Sequence, residues 1–172
     1  MEGLKTVAEL MAVAARTAPK SAGQDFVEIR ILTGDELLKL AEGMVRFGEE
    51  RGKRNFDRDA RNVRDSDVVV LIGLKDARVP GLDCGACGYP TCKAFEKAEV
   101  VDVEFKGPLC AFRLLDMGIA LGSAVKTAGL LNADNRIMYR IGTVARSMGL
   151  CDWDYVMGIP LSATGKSIYF DR

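Results

Sequence analysis

Asp67-Val68-Val69-Val70-Leu71-Ile72-Gly73-Leu74 carries no polar side chain after its first residue. A β-branched run this uniform lacks the polar alternation of a solvent-facing strand, and it predicts a central strand buried on both faces. The rest of the chain is read outward from it. Toward the amino terminus, Thr33-Gly34-Asp35-Glu36 has the form of a capping box, and Leu37, Leu40, Ala41, Met44, Val45 and Gly48 trace the apolar stripe of a helix reaching about Glu50. Before it, Asp25 to Leu32 alternates, with Val27, Ile29 and Ile31 on one face and Glu28 and Arg30 on the other, as in a half-buried strand. Leu4, Val7, Leu10, Met11 and Ala14 recur at helical spacing up to Thr17, and Pro19 marks the stop. The mixed charges of Arg51 to Asp65 read as a solvated helix or loop.

On the carboxyl side, a loop from Lys75 to Leu82, broken by Pro80 and Gly81, leads into the cysteines. A short helix capped by Thr91 is expected from Cys92 to about Glu99, then an extended Val100 to Phe105 and a break at Gly107-Pro108. Leu109 to Leu131 predicts a long helix. Its Gly118, Gly122 and Gly129 would weaken it if solvated, so another helix or a flat ligand is expected to pack closely on it. A further helix is expected over Arg136 to Met148 and a last short strand over Val156 to Gly158. The expected fold is a single α+β domain over residues 1–172, a mixed sheet flanked by helices, with an inserted segment at 75–112.

The 172 residues, 48% of them hydrophobic, suffice for one sizeable core without help from a metal. Lys+Arg and Asp+Glu balance at 24 each, so no global field draws the protein to nucleic acid or an anionic membrane. No apolar run approaches the roughly 20 residues of a membrane helix, and acidic Glu2 and Glu9 stand where a leader peptide would be basic. A cytoplasmic protein without membrane insertion is expected. Histidine is absent, which excludes catalytic triads, His-ligated zinc and Rieske centres.

Four of the five cysteines fall as Cys84-x2-Cys87-x4-Cys92-x17-Cys110. In a reducing compartment such thiols serve as metal ligands better than as disulfides. An iron-sulfur cluster takes several thiolates from one short loop, here with Gly85 and Gly88 allowing close backbone approach, and a distant cysteine closes the cage. Cys92, at the start of a helix, would feel a dipole that favours thiolate. A 4Fe-4S cluster on Cys84, Cys87, Cys92 and Cys110 is the reading the spacing favours; zinc held by four thiolates in an interaction protein is the alternative, and four incidental thiols a third. Cys151 reads as a buried, inert helix-end thiol, with a redox or substituting ligand role as its alternative.

The run from Cys84 to Phe95, with Cys110 downstream, resembles the four-cysteine 4Fe-4S domain of corrinoid iron-sulfur proteins and of membrane electron-transport complexes. Asn135 to Arg140 and Met157 to Lys166 are similar to a prokaryotic family of ferredoxin-domain-containing proteins. That resemblance implies a cluster. A cluster so held would pass one electron at a time, so electron transfer with a redox protein partner is the expected role. Ala14 to Gln24 and Ala145 to Pro160 resemble flavin-dependent nitroreductases, although the Arg-x-Ser-x-Arg and Asn-x-Gln-Pro-Trp motifs of those enzymes have no counterpart. This second resemblance implies a nitroreductase-like homodimer and an oxidoreductase in which the cluster feeds FMN. Arg16, Lys20, Ser21 and Lys166 are then the candidate flavin contacts, with Arg172 adding charge. Pro160 to Ser167 nearly matches a phosphate-binding loop, but Pro160 replaces the first glycine, so no nucleotide hydrolysis is expected.

Overall fold

The computed structural model describes residues 2–170; Arg172, named above for added charge, lies outside the described residues. In chain order the elements are α1 (Glu2–Thr17), β1 (Val27–Thr33), α2 (Gly34–Glu50), α3 (Phe56–Arg64), β2 (Val68–Leu74), α4 (Cys92–Glu96), β3 (Val101–Asp102), β4 (Lys106–Gly107), α5 (Ala111–Leu130), β5 (Asp134–Asn135), α6 (Tyr139–Ser147) and β6 (Tyr155–Ser162). Four strands form one sheet in the order β1-β2-β6-β5, while β3 and β4 form a separate small hairpin.

All seven residues of β2 are buried, as its composition demands. Because side chains alternate across a strand, Val68, Val70, Ile72 and Leu74 face one layer and Val69 and Leu71 the other. The first layer is α1 and α5, which contribute Leu4, Ala8, Met11, Met117, Ala120 and Ala124. In the second, Leu40 and Met44 of α2, Phe56 of α3 and Ile141 of α6 cover the opposite face. Each buried Leu, Met, Ile or Phe among them contributes roughly 1.5–3 kcal/mol. Every named pair of strands is antiparallel, so the sheet is antiparallel and not mixed. Burial on both faces, a habit of parallel strands, is achieved here by two helical layers around an antiparallel strand.

Three local expectations change. Thr33 sits at the N-cap of α2 but its side chain makes no capping bond, and Glu36 accepts from the Arg30 guanidinium at 2.5 Å instead of closing the box. The charged stretch before β2 is not wholly solvated: Asp59 of α3 is buried between Arg58 and Arg140, each 2.7–2.8 Å away. Finally, β6 runs on through Pro160 to Ser162. Met138 bridges to Gly158 while β5 pairs only with Leu161 and Ser162, so the missing N–H of Pro160 falls in the gap between them. No helix among the described residues is long and apolar enough to cross a membrane.

Candidate metal centre

Between β2 and α5 the chain leaves the layered body. Leu82-Asp83-Cys84-Gly85-Ala86-Cys87-Gly88 turns on positive φ at Asp83 (48°), Gly85 (70°) and Gly88 (87°), and the Gly88 N–H closes the turn on the Gly85 carbonyl at 3.0 Å. Gly85 and Gly88 meet the left-handed requirement without cost; Asp83 meets it as a short polar side chain that bonds locally. Asp83 Oδ1 accepts from the Cys92 N–H at 2.6 Å and so ties the two ends of the cysteine loop together. Thr91 caps α4 by accepting from the Ala94 N–H at 3.1 Å, as expected, but α4 stops at Glu96 after five residues. The hairpin β3–β4 then returns the chain to Cys110, at the N-cap of the 20-residue α5.

Cys84, Cys87, Cys92 and Cys110 line one hollow together with Val79, Pro80, Leu82, Tyr89 and Ala111. The hollow measures about 300 Å³ with its mouth, only about 10 Å³ of it wide enough for water. Cys84 is exposed, Cys87 and Cys92 are half-buried and Cys110 is buried against the body. Among the described residues no three His, Cys, Asp or Glu side chains converge to hold a single metal ion. Four cysteines around one hollow are a donor set of the kind that holds an iron-sulfur centre or a zinc ion. The dipole anticipated at Cys92 is that of a very short helix; the larger one meets Cys110.

Two arginines, neither singled out by its local sequence, hold the ends of this segment. Arg113, fully buried one turn beyond Cys110, donates from Nε to the Arg78 carbonyl at 2.7 Å, from Nη2 to Gln24 Oε1 at 2.6 Å and from Nη1 to Asp116 Oδ2 at 3.0 Å. Its guanidinium also lies over the Phe26 ring, 4.8 Å from the centroid. It thus joins the loop leaving the body after β2 to the helix re-entering it. At the hairpin, Arg146 of α6 grips Asp102 through two bonds of 2.6 and 2.9 Å and the Trp153 carbonyl at 2.7 Å. Glu104 accepts from Tyr139 Oη at 2.7 Å and pairs with Lys53. Nothing local marks the first clamp, since Arg113 and Asp116 read as an ordinary charged pair three apart on a helix.

Cys151 lies apart from the four, against α6 in a different cavity beside Phe47, Thr143 and Arg146. Burial pushes its thiol above the ordinary range, outweighing the Trp153 backbone and the Arg146 and Arg30 charges that pull it down. Of the flavin candidates, Arg16 is paired with Asp25 at 2.8 Å and donates to the Val27 carbonyl at 2.6 Å. Lys20 closes the end of α1 by donating to the carbonyls of Ala15 and Arg16 at 2.8 and 2.6 Å. Ser21 donates twice to Asp116 Oδ1, from backbone and hydroxyl, at 2.7 Å each. These three come together at one corner, engaged with the chain itself. Lys166 lies in the exposed tail after β6, where Thr164 Oγ1 donates to its carbonyl at 2.6 Å.

Comparison with known proteins places this arrangement. Residues 79–100, which include Cys84, Cys87 and Cys92, match a family model described as "Putative Fe-S cluster". Residues 106–172, which include Cys110, match one described as "Uncharacterized protein containing a ferredoxin domain (DUF2148)". Among solved structures the FMN-dependent nitroreductase NfnB of Mycobacterium smegmatis shares the fold with a TM-score of 0.62 at 13% identity, over 98% of this chain and 82% of its own. Nitroreductase CinD of Lactococcus lactis gives 0.60 at 16% identity, over 97% and 84%. A protein of Archaeoglobus fulgidus is 52% identical over 171 residues, 99% of this chain and 92% of its own length. With a relative that close and both models matched, the chain belongs to the ferredoxin-domain-containing family, built on a nitroreductase-like fold.

Proposed function

We propose that Cys84, Cys87, Cys92 and Cys110 hold one 4Fe-4S cluster and that the protein carries single electrons to and from a protein partner. The observation that carries this reading is the meeting of two separate stretches: Cys110, 18 residues beyond Cys92, lines the same hollow as the loop cysteines. When bound, such a cluster supplies one-electron redox chemistry. The chain's part is to provide four cysteine sulfurs and to set the positive end of α5 beside Cys110, next to the negative charge of a sulfur-bound centre. It also leaves Cys84 at the surface as the side a partner would approach. Unpaired thiols of this kind fit a reducing cytoplasm.

The test is anaerobic purification. Brown protein with a broad visible absorption that dithionite bleaches is expected, and Cys110→Ser should abolish it while Cys151→Ser should not. Colourless protein with one zinc per chain would replace this reading by the zinc-stabilised interaction protein. A flavin-dependent oxidoreductase fed by the cluster is the second reading, favoured by the shared fold with FMN-dependent nitroreductases. Flavin released by acid from purified protein would promote it. In that case Arg16, Lys20 and Ser21 must exchange their present bonds for the flavin phosphate, and Ser21→Ala should weaken flavin retention.

A further inference from the structure

Where the β3–β4 hairpin meets the body it leaves a cavity of about 500 Å³ against the carboxyl ends of α2 and α6, the space beside Cys151 described above. That volume lies within the roughly 300–1,000 Å³ of small-molecule sites, and the cavity shares no lining residue with the four-cysteine hollow. Its charges are engaged almost throughout. Arg146 is bound to Asp102 at 2.6 and 2.9 Å, Lys106 to Asp154 at 3.3 Å, Asp152 to Lys75 at 2.6 Å and Glu104 to Lys53. Arg51 is the exception. Among the described residues it is paired with no carboxylate, and its guanidinium is held instead over the Phe47 ring, 5.3 Å from the centroid. Ser147, on the same lining, has a hydroxyl that no described residue engages.

We infer that this cavity binds a small organic anion, a monocarboxylate with an apolar body, through Arg51 and Ser147. A guanidinium is a planar fork that matches both oxygens of a carboxylate, and one lying over a ring keeps its N–H edge for an acceptor in its own plane. One negative charge is favoured over two. Asp102, Glu104 and Asp152 line the same space, and a phosphate dianion would meet their repulsion with a single unpaired cation to offset it. The apolar body has a place as well: Val103, on the hairpin wall, is 72% exposed, and a seated ligand would take that surface out of water. Arg51 comes from the body and Val103 from the hairpin, so the ligand would bridge the two regions. This inference does not depend on what the cysteines hold.

The experiment is calorimetric titration of the full chain, purified without oxygen, with benzoate, phenylacetate and hexanoate in turn. At least one is expected to bind with a Kd below about 1 mM. Its amide, which keeps the body and lacks the charge, should bind weaker by about tenfold or more. Arg51→Gln, at an exposed position, should weaken the carboxylate by about tenfold or more without lowering the melting temperature. Arg51→Lys should recover part of the loss, since it restores the charge and not the fork. Should Arg51→Gln disturb α2, amide shifts of the wild type give the same reading: Val103, Ser147 and Gly149 are expected to move on titration while β1 stays still. Binding by none of the three acids below about 10 mM would overturn the proposal and leave Arg51 a solvated surface cation. So would an amide that binds as well as its acid, affinity undiminished in a folded Arg51→Gln, or shifts confined to residues outside the cavity.

Discussion

Every residue of β2 from Val68 to Leu74 is buried; from Lys75 to Leu109, the next 35 residues, none is. The two regions adjoin in sequence and are held by different physics. The layered body offsets the entropy of ordering its chain with apolar burial. The cysteine segment has no core of its own, only two-residue strands and a five-residue helix. Its order rests on Asp83, on the Arg113 and Arg146 clamps and, on our proposal, on bonds from four sulfurs to a metal centre. On that proposal, a chain large enough to fold without metal contains a part that metal completes.

The contrast can be broken at several points. Arg113→Ala strikes where the regions join. It leaves the Asp116 carboxylate buried without its cation, and a loss of about 3–5 kcal/mol in urea unfolding is expected; a loss under about 1 kcal/mol would mean that the clamp contributes little to either region. Gly142→Ala strikes the body alone, since its new carbon would overlap the Val156 carbonyl oxygen. A cost of about 3 kcal/mol is expected, with iron retention unchanged at low temperature. Glu104→Gln strikes the segment alone by removing the charge that Lys53 and Tyr139 share. About 1 kcal/mol is expected, seen as faster amide exchange in residues 101–107 while β2 stays protected.

The smallest effect is at a surface pair. Burial raises the pKa of Asp25, but the Arg16 guanidinium, the Val27 N–H and the Lys20 charge outweigh it and leave it below the usual carboxylate value of 3.8. A lowered folded pKa adds stability above the unfolded value and loses it as pH falls through the folded one. Asp25→Asn should therefore flatten the acid limb of the urea midpoint below about pH 4, by about 0.5 kcal/mol for so exposed a pair. An unchanged acid limb would show that the pair does not contribute.

The body was legible where burial speaks through composition. Val68 to Leu74 announces a covered strand because no polar residue interrupts it, and the stripe Leu37, Leu40, Ala41, Met44 announces α2. Pairing direction was not legible, since uniform burial records that both faces are covered and not how the neighbours run. In sequence β6 reads short, over Val156 to Gly158; only the register shows it continuing through Pro160, whose missing N–H falls in a gap. In the cysteine segment the spacing exposed all four candidate ligands, yet nothing local marked what positions them. Arg113 and Asp116, three apart on a helix, look like an ordinary solvated pair, and their burial depends on Gln24 and Arg78, distant in sequence. Asp83 is legible only through its positive φ and its bond to the Cys92 N–H.

The most direct test of the central claim is elemental: iron, acid-labile sulfide and zinc per chain in protein prepared without oxygen. About four iron and four sulfide per chain, falling to near zero in Cys110→Ser, is the result this account predicts. One zinc per chain with no sulfide, or iron retained undiminished without Cys110, would contradict it.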